Sequence, residues 1–183
     1  MIRLALPARQ TYNHSVTNQA TPHSIRPATA GDLERINEIY NHYVHHSTCT
    51  YQTEPETIES RRAWFESHGK LHPIFVAERN GEVAGWASLS RFHPRAAYGR
   101  TVENSIYIHD QARRCGLGAA LLRRLVDDAR DLGHHTIIAG ISADQSASVE
   151  LHRKFGFTEA ARLREVGFKF GQWLDVVYLQ LIL

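Results

Sequence analysis

The run Arg113-Arg114-Cys115-Gly116-Leu117-Gly118 combines two cations with two residues that lack side-chain bulk. It follows the apolar stretch Ile106-Tyr107-Ile108 and leads directly into Ala119-Ala120-Leu121-Leu122-Arg123-Arg124-Leu125-Val126-Asp127-Asp128-Ala129-Arg130. A strand that turns through glycines into a helix presents free N–H groups and the positive end of the helix dipole at one point. Glycine lets a bulky anion approach the backbone, and the arginines add full charge beside it. Phosphate binding is the chemistry this pattern can do. On the loop alone, a plain strand-to-helix turn that uses glycine for its geometry remains open. Two nucleotide motifs are excluded: no Gly-Lys-Ser/Thr follows the glycines, and the spacing is not Gly-x-Gly-x-x-Gly.

The loop needs a scaffold, and the 183-residue chain is long enough for one domain with a core. Residues 1–24 are polar with little periodicity and read as a loosely ordered extension, and residues 25–183 read as a single domain. Ile25 to Ala28 predicts a short strand. Thr29 and Asp32 mark a helix start, and Leu33, Ile36, Ile39, Tyr40 and Tyr43 give that helix one apolar face. A second helix is expected from Ile58 to His68, with Trp64 and Phe65 buried. Ile74 to Glu78 and Val83 to Leu89 flank Asn80-Gly81, a strong two-residue hairpin signal. A third strand, Thr101 to His109, alternates Val102, Asn104, Ile106 and Ile108 against Glu103, Ser105 and Tyr107. The loop and its helix follow, with Leu121, Leu122, Leu125, Val126 and Ala129 as the stripe and Gly133 as the stop. The remaining elements are a buried strand to Ile141, a helix from Ser146 or Ala147 to Phe155, and strands Phe157 to Glu165 and Trp173 to Ile182. The order β-α-α-β-β-β-α-β-α-β-β indicates an α/β domain built on a mixed sheet.

Composition narrows the function classes. Hydrophobic residues make up 43% and charged residues 22%, the balance of a soluble globular protein. The net charge of +2, with no long basic face, argues against a nucleic-acid partner. The twelve histidines scatter without metal-ligand spacing, so no metal site is expected. Cys49 and Cys115 stand far apart, which favours a reducing, cytoplasmic setting over a disulfide framework. No apolar run reaches the roughly 20 residues of a membrane span, and Pro7 interrupts the short apolar start.

Arg113-x-x-Gly116-x-Gly118 before a long helix resembles the pyrophosphate loop of the GNAT acetyltransferase superfamily. Further stretches stand in that family's order. They are Ile25-Arg26-Pro27-Ala28-Thr29, Thr53-Glu54-Pro55, Arg95-x-Ala97-Tyr98 and Thr101-Val102-Glu103-x-Ser105-x-Tyr107, then Leu151-His152-x-x-x-Gly156-Phe157 and Gly167-x-Lys169-x-Gly171-x-Trp173-x-Asp175. Together they are similar to the phosphinothricin and methionine sulfoximine or sulfone N-acetyltransferase branch, over residues 25–182. The resemblance implies a GNAT fold: about seven strands in a twisted mixed sheet, splayed at the centre and flanked by about four helices. It implies acetyl-CoA as co-substrate, a small amino-acid-like amine as acceptor, and a homodimer whose partner chain completes part of the substrate pocket.

Roles follow from the resemblance residue by residue. Glu103 becomes the general base. His152 either orients that base, relays a proton or touches substrate, or is a helix histidine satisfied by packing. Tyr107 is either the acid for the leaving thiolate or a wall of the cofactor site. Ile106, Tyr107, Ile108, Arg113, Arg114, Cys115, Gly116, Leu117, Gly118, Ala119 and Gln145 become the cofactor contacts, Gln145 standing where relatives carry Asn. Substrate contacts become Tyr51, His93, Pro94, Arg95, Tyr98, Glu103, Asn104, Ser105, Ser142 and Val176. His93 takes a position where relatives carry Lys or Arg, a change that weakens anion recognition there. Acetylation of a protein N-terminus or a polyamine stands as the alternative within enzymes, although Arg95 and Arg100 in the binding loop oppose a polyamine. A non-catalytic acyl-CoA sensor would keep the phosphate loop and lack the base, and a purely structural domain would bind no acetyl-CoA.

Overall fold

The computed structural model describes residues 23–183. The expectation of a loosely ordered extension falls on residues 1–22, outside the described residues, except that His23 and Ser24 already belong to the first strand. The elements are β1 (His23–Pro27), α1 (Leu33–His46), α2 (Ile58–Ser67), β2 (Ile74–Arg79), β3 (Glu82–Arg91), β4 (Thr101–Ile108), α3 (Leu117–Asp131), β5 (Thr136–Ser142), α4 (Ser146–Lys154), β6 (Thr158–Lys169) and β7 (Gln172–Ile182). Their order agrees with the sequence pattern. Seven strands form one sheet in the order β1-β2-β3-β4-β5-β7-β6. All neighbours are antiparallel except β4 and β5.

Each helix forms because its apolar residues recur at helical spacing and face the sheet. In α1, Leu33, Ile36, Ile39 and Tyr43 are buried, and in α3 so are Leu117, Leu121, Leu122, Leu125, Val126 and Ala129. Gly133, with φ at 77°, ends the α3 run in the left-handed conformation that favours glycine. One cluster joins α1 to Val76, Val83 and Trp86 on one face of the sheet. The other packs α3 and α4 residues against Phe75, Ala87, Val102, Ile137 and Ala139 on the opposite face. Two hairpins show the paired positive φ of turns that follow strand twist, Asn80-Gly81 at 54° and 82° and Phe170-Gly171 at 51° and 74°.

Two expectations change. β6 continues to Lys169, past the expected Glu165, with two register irregularities against β7. Helix α2 buries Arg61 rather than Trp64 and Phe65, which are only half-buried.

The α1 entrance is fixed by charge. The Asp32 carboxylate accepts from the Thr29 N–H at 2.7 Å and from both terminal amines of Arg26 at 2.8 Å, while Arg26 Nε reaches Glu78 on β2. The Arg26 guanidinium holds the nearly buried Asp32 carboxyl at about 2, well below its usual value. A depressed carboxyl contributes stability above its unfolded pKa and loses it as pH falls through the folded value. Asp32→Asn is therefore expected to destabilise the fold by about 2 kcal/mol at pH 7. The difference from wild type should shrink between about pH 4 and pH 2, as read by urea unfolding at each pH.

Candidate functional site

The sheet opens where β4 and β5 part. Only Thr101, Val102 and Glu103 of β4 pair with Thr136, Ile137 and Ile138 of β5, although both strands continue. The hydrogen-bond phase of β4 shows what faces the gap. His109 N–H donates to Ala84 O, so odd-numbered residues of β4 bond β3, and the peptide groups of Asn104, Ile106 and Ile108 point the other way. Arg100, also even-numbered, accepts from His135 and Thr136 at the closed end. The N–H groups of Ile106 and Ile108 thus open into a wedge with no facing strand.

The wedge leads to the glycine-containing loop. Gly116 caps α3 with φ at 83°, and open space lies where a Cβ would stand. The first N–H groups of this 15-residue helix have no partner within it. Arg114, Cys115 and Gly116 are exposed, so the cradle is accessible. Arg113 is directed to Tyr43, whose hydroxyl accepts from Nε at 3.1 Å and from a terminal amine at 3.0 Å. The same hydroxyl donates to Ile108 O, and burial keeps it protonated. Gln145, expected beside the cofactor, donates to the Thr48 hydroxyl at 2.9 Å.

Side-chain alternation along β4 divides the expected chemistry between two faces. Glu103, Ser105 and Tyr107 share the α1–α2 face. Glu103 is half-buried and accepts no hydrogen bond among the described residues, and desolvation alone pushes its carboxyl above the usual range. Its Oε1 lies 3.3 Å from the point where a Cβ on Gly140 would stand, so that glycine leaves its space. Tyr107 stacks on Trp86 with centroids 4.8 Å apart and meets Tyr40 edge-on at 5.2 Å. Burial raises its hydroxyl far above the ordinary value.

His152 lies on the other face, packed at 3% exposure. Its Nε2 meets the Asn104 amide at 2.9 Å and its Nδ1 meets Ser148 O at 2.8 Å. A carbonyl requires a donor at Nδ1, so Nε2 accepts from the amide and the ring is neutral. Burial lowers its pKa in the same sense. The structure brings neither His152 nor Asn104 to Glu103, because residues adjacent on a strand point to opposite sides. The two side chains bond each other between β4 and α4.

Around Glu103 the remaining residues form two groups. Tyr51 donates to Asp175 O at 3.0 Å and to the Ser142 hydroxyl at 3.3 Å, and Ser142 faces Val176 across β5 and β7. Those three expected pocket residues stand together. The loop after β3 carries His93, Pro94, Arg95 and Tyr98; the His93 and Tyr98 rings meet at a tilt with centroids 4.7 Å apart, and Pro94, Arg95 and Tyr98 are exposed. Sequence reasoning missed Lys169, Tyr43 and Arg61. Lys169 is buried and donates to Ser47 O and Thr50 O at 2.8 Å, fixing the loop that ends in Tyr51. Only its place in the Gly-x-Lys-x-Gly motif signalled it.

Residues 36–157 match the acetyltransferase (GNAT) family. The chain is 41% identical over 159 residues to the L-methionine sulfoximine/L-methionine sulfone acetyltransferase of Salmonella typhimurium, spanning 86% of this chain and 93% of that protein. It is 37% identical over 162 residues to the phosphinothricin N-acetyltransferase of Streptomyces viridochromogenes, spanning 87% of each. The crystal structure of a GNAT superfamily phosphinothricin acetyltransferase from Sinorhizobium meliloti in complex with acetyl-CoA superposes with a TM-score of 0.85 at 37% identity, over 88% of each chain.

Asn104→Ala leaves the His152 ring nitrogen buried without its donor. That change is expected to cost about 1–3 kcal/mol in urea unfolding and to leave the pH profile of activity in place.

Proposed function

The chain belongs to the GNAT acetyltransferase family, and from that premise we propose that it transfers the acetyl group of acetyl-CoA to the amine of a small amino acid of the phosphinothricin, methionine sulfoximine or methionine sulfone type. The observation that carries the reading is Glu103, an unpartnered, half-buried carboxylate at the mouth of the wedge between β4 and β5. The cofactor side fits on the chain's own features. Arg113, Arg114, Cys115 and the N–H groups of Gly116, Leu117, Gly118 and Ala119 suit a pyrophosphate, and the Ile106 and Ile108 N–H groups suit the amide-bearing arm and its thioester.

Acetyl transfer then divides among few groups. Glu103 takes a proton from the substrate ammonium, directly or through one water. The freed amine forms a bond to the thioester carbonyl carbon, the carbonyl oxygen is held by strand N–H groups, and the carbon–sulfur bond breaks to release the thiol. The packing of Tyr107 among Trp86 and Tyr40 supports a wall role for it. Tyr51, Ser142 and Val176 on one side, and His93, Pro94, Arg95, Tyr98 and Ser105 on the other, line the approach to Glu103.

The chain pairs with a second copy. Val166, Phe168, Phe170 and Trp173 are 53–62% exposed around the β6–β7 hairpin, beside the Tyr51 loop. Apolar side chains so displayed suit burial against a partner. No helix among the described residues is long and apolar enough to cross a membrane, and two free cysteines suit the cytoplasm.

Mixing the protein with acetyl-CoA and phosphinothricin or methionine sulfone should release free thiol; absence of release across a panel of amino-acid analogues overturns the reading. Glu103→Gln should lower kcat/KM by about 10²- to 10⁴-fold. In the wild type kcat/KM should rise with pH through a limb above the ordinary carboxylate range, because a raised base is free only above its own pKa. Sedimentation should return twice the mass of one chain, and Trp173→Glu with Phe170→Glu should return one.

A further inference from the structure

The cavity between α1, α2 and the β3–β4 face is lined by many hydrogen-bond donors and a single carboxylate, Glu56. It has a volume of about 440 Å³ and is floored by Ser88 and Ser105, which face each other across the two strands. Arg61 enters it from α2 at 5% exposure. Its guanidinium carbon lies 4.5 Å from the Tyr40 ring centre and 4.9 Å from that of Trp64, so its planar group is gripped between aromatic faces. Its Nε donates to Asn37 Oδ1 at 3.2 Å. Among the described residues the two terminal amines make no hydrogen bond or ion pair. The Glu56 carboxylate borders the same cavity, accepts from Ser60 and Gln52, and acts on Arg61 through its charge without a direct hydrogen bond or ion pair. Nor do the Ser88 and Ser105 hydroxyls have protein partners, and Trp86 Nε1 is a buried donor with none.

A buried arginine with no carboxylate in direct contact is costly unless something else accepts from it. Aromatic faces offset part of that cost and leave the in-plane N–H edge unused. Burial lowers the Arg61 pKa, the direction expected for a cation withdrawn from solvent. A group that fits this set carries two or more acceptor oxygens and no donor.

Position decides which part of a substrate that is. Glu103, Ser105 and Tyr107 follow one another on one face of β4, and such residues repeat at roughly 7 Å. An amino acid's α-carboxylate stays close to its own amine, whereas its tail extends several bonds further, so the tail is the part best placed to reach past Ser105 to Arg61. We propose that Arg61, with the Ser88 and Ser105 hydroxyls, is the subsite for the oxygen-bearing tail of the substrate, a phosphinate or sulfone whose amine stands at Glu103. This rests on the proposed acetyl transfer to amino-acid amines and adds the residue that recognises the tail.

Trp64 and Trp86 border the cavity, so their fluorescence reads occupancy without turnover. Four probes separate the sources of oxygen, each titrated with and without coenzyme A and with no acetyl donor. Phosphinothricin carries both groups, 3-aminopropyl(methyl)phosphinate lacks the α-carboxylate, L-methionine sulfone has a neutral tail, and L-norleucine has a tail without oxygen. The expected result is saturable emission change with the first three and at least about 10-fold weaker binding of norleucine. Arg61→Met should weaken the two phosphinates about 10-fold or more and leave norleucine unchanged, and Arg61→Lys should restore part of the difference. Norleucine binding as tightly as phosphinothricin in the wild type overturns the proposal, even where Arg61→Met does not fold. So does phosphinate binding that is unchanged in Arg61→Met. Thiol release with an Arg61 variant as selective as wild type sinks this subsite alone. Tail-dependent binding without thiol release sinks the acetyl-transfer reading and leaves the subsite standing.

Discussion

Three facing pairs join β4 to β5, and the pairing then stops while both strands run on. A parallel pair in mid-sheet ordinarily continues, because each unpaired peptide group away from water costs free energy. Here the even-numbered peptides of β4 beyond Glu103 face no strand. The wedge makes an extended backbone into a binding edge, the same physics by which sheet edges accept added strands. The glycine-containing loop and the Glu103 carboxylate occupy different ends of that one strand. Glu103 marks the point of parting, and the loop lies where β4 runs out into α3.

The two faces of β4 have separate duties. On one, Val102 and Asn104 close the core against α3 and α4, with His152 neutral and fully bonded. On the other, Glu103 and Ser105 stand among groups that lack partners. Such a division gives the strand a rigid back and a front on which a carboxylate is held in place with its oxygens free of protein partners.

Much of this was legible in the sequence. The period-2 pattern of residues 101–108, the Asn80-Gly81 turn and the leucine stripe of α3 fix element types, because each reflects a local rule that tertiary packing did not override. The glycine turn into α3 was legible for the same reason. The surroundings of His152 were not, since a histidine beside a site motif and a histidine bonded to Asn104 look alike in one dimension. Arg61 was invisible: it sits in Glu59-Ser60-Arg61-Arg62, a run that reads as a solvated face. Only the third dimension sets it between Tyr40 and Trp64. The length of β6 escaped because its bulged residues lack clean alternation.

The ammonium of Lys169 sits among the carbonyls of Tyr43, Ser47 and Thr50, where α1 ends. A cation at that point answers the negative end of the helix and of the turn after it at once. The β6–β7 hairpin is thereby bolted to the main chain that carries Tyr51. Adaptation to new amines must then proceed by exchanging side chains on a fixed frame, since altering the length of that loop would strip an enclosed charge of its ligands. Diversification of this scaffold is confined to the shape of its walls, and its floor plan is inherited intact.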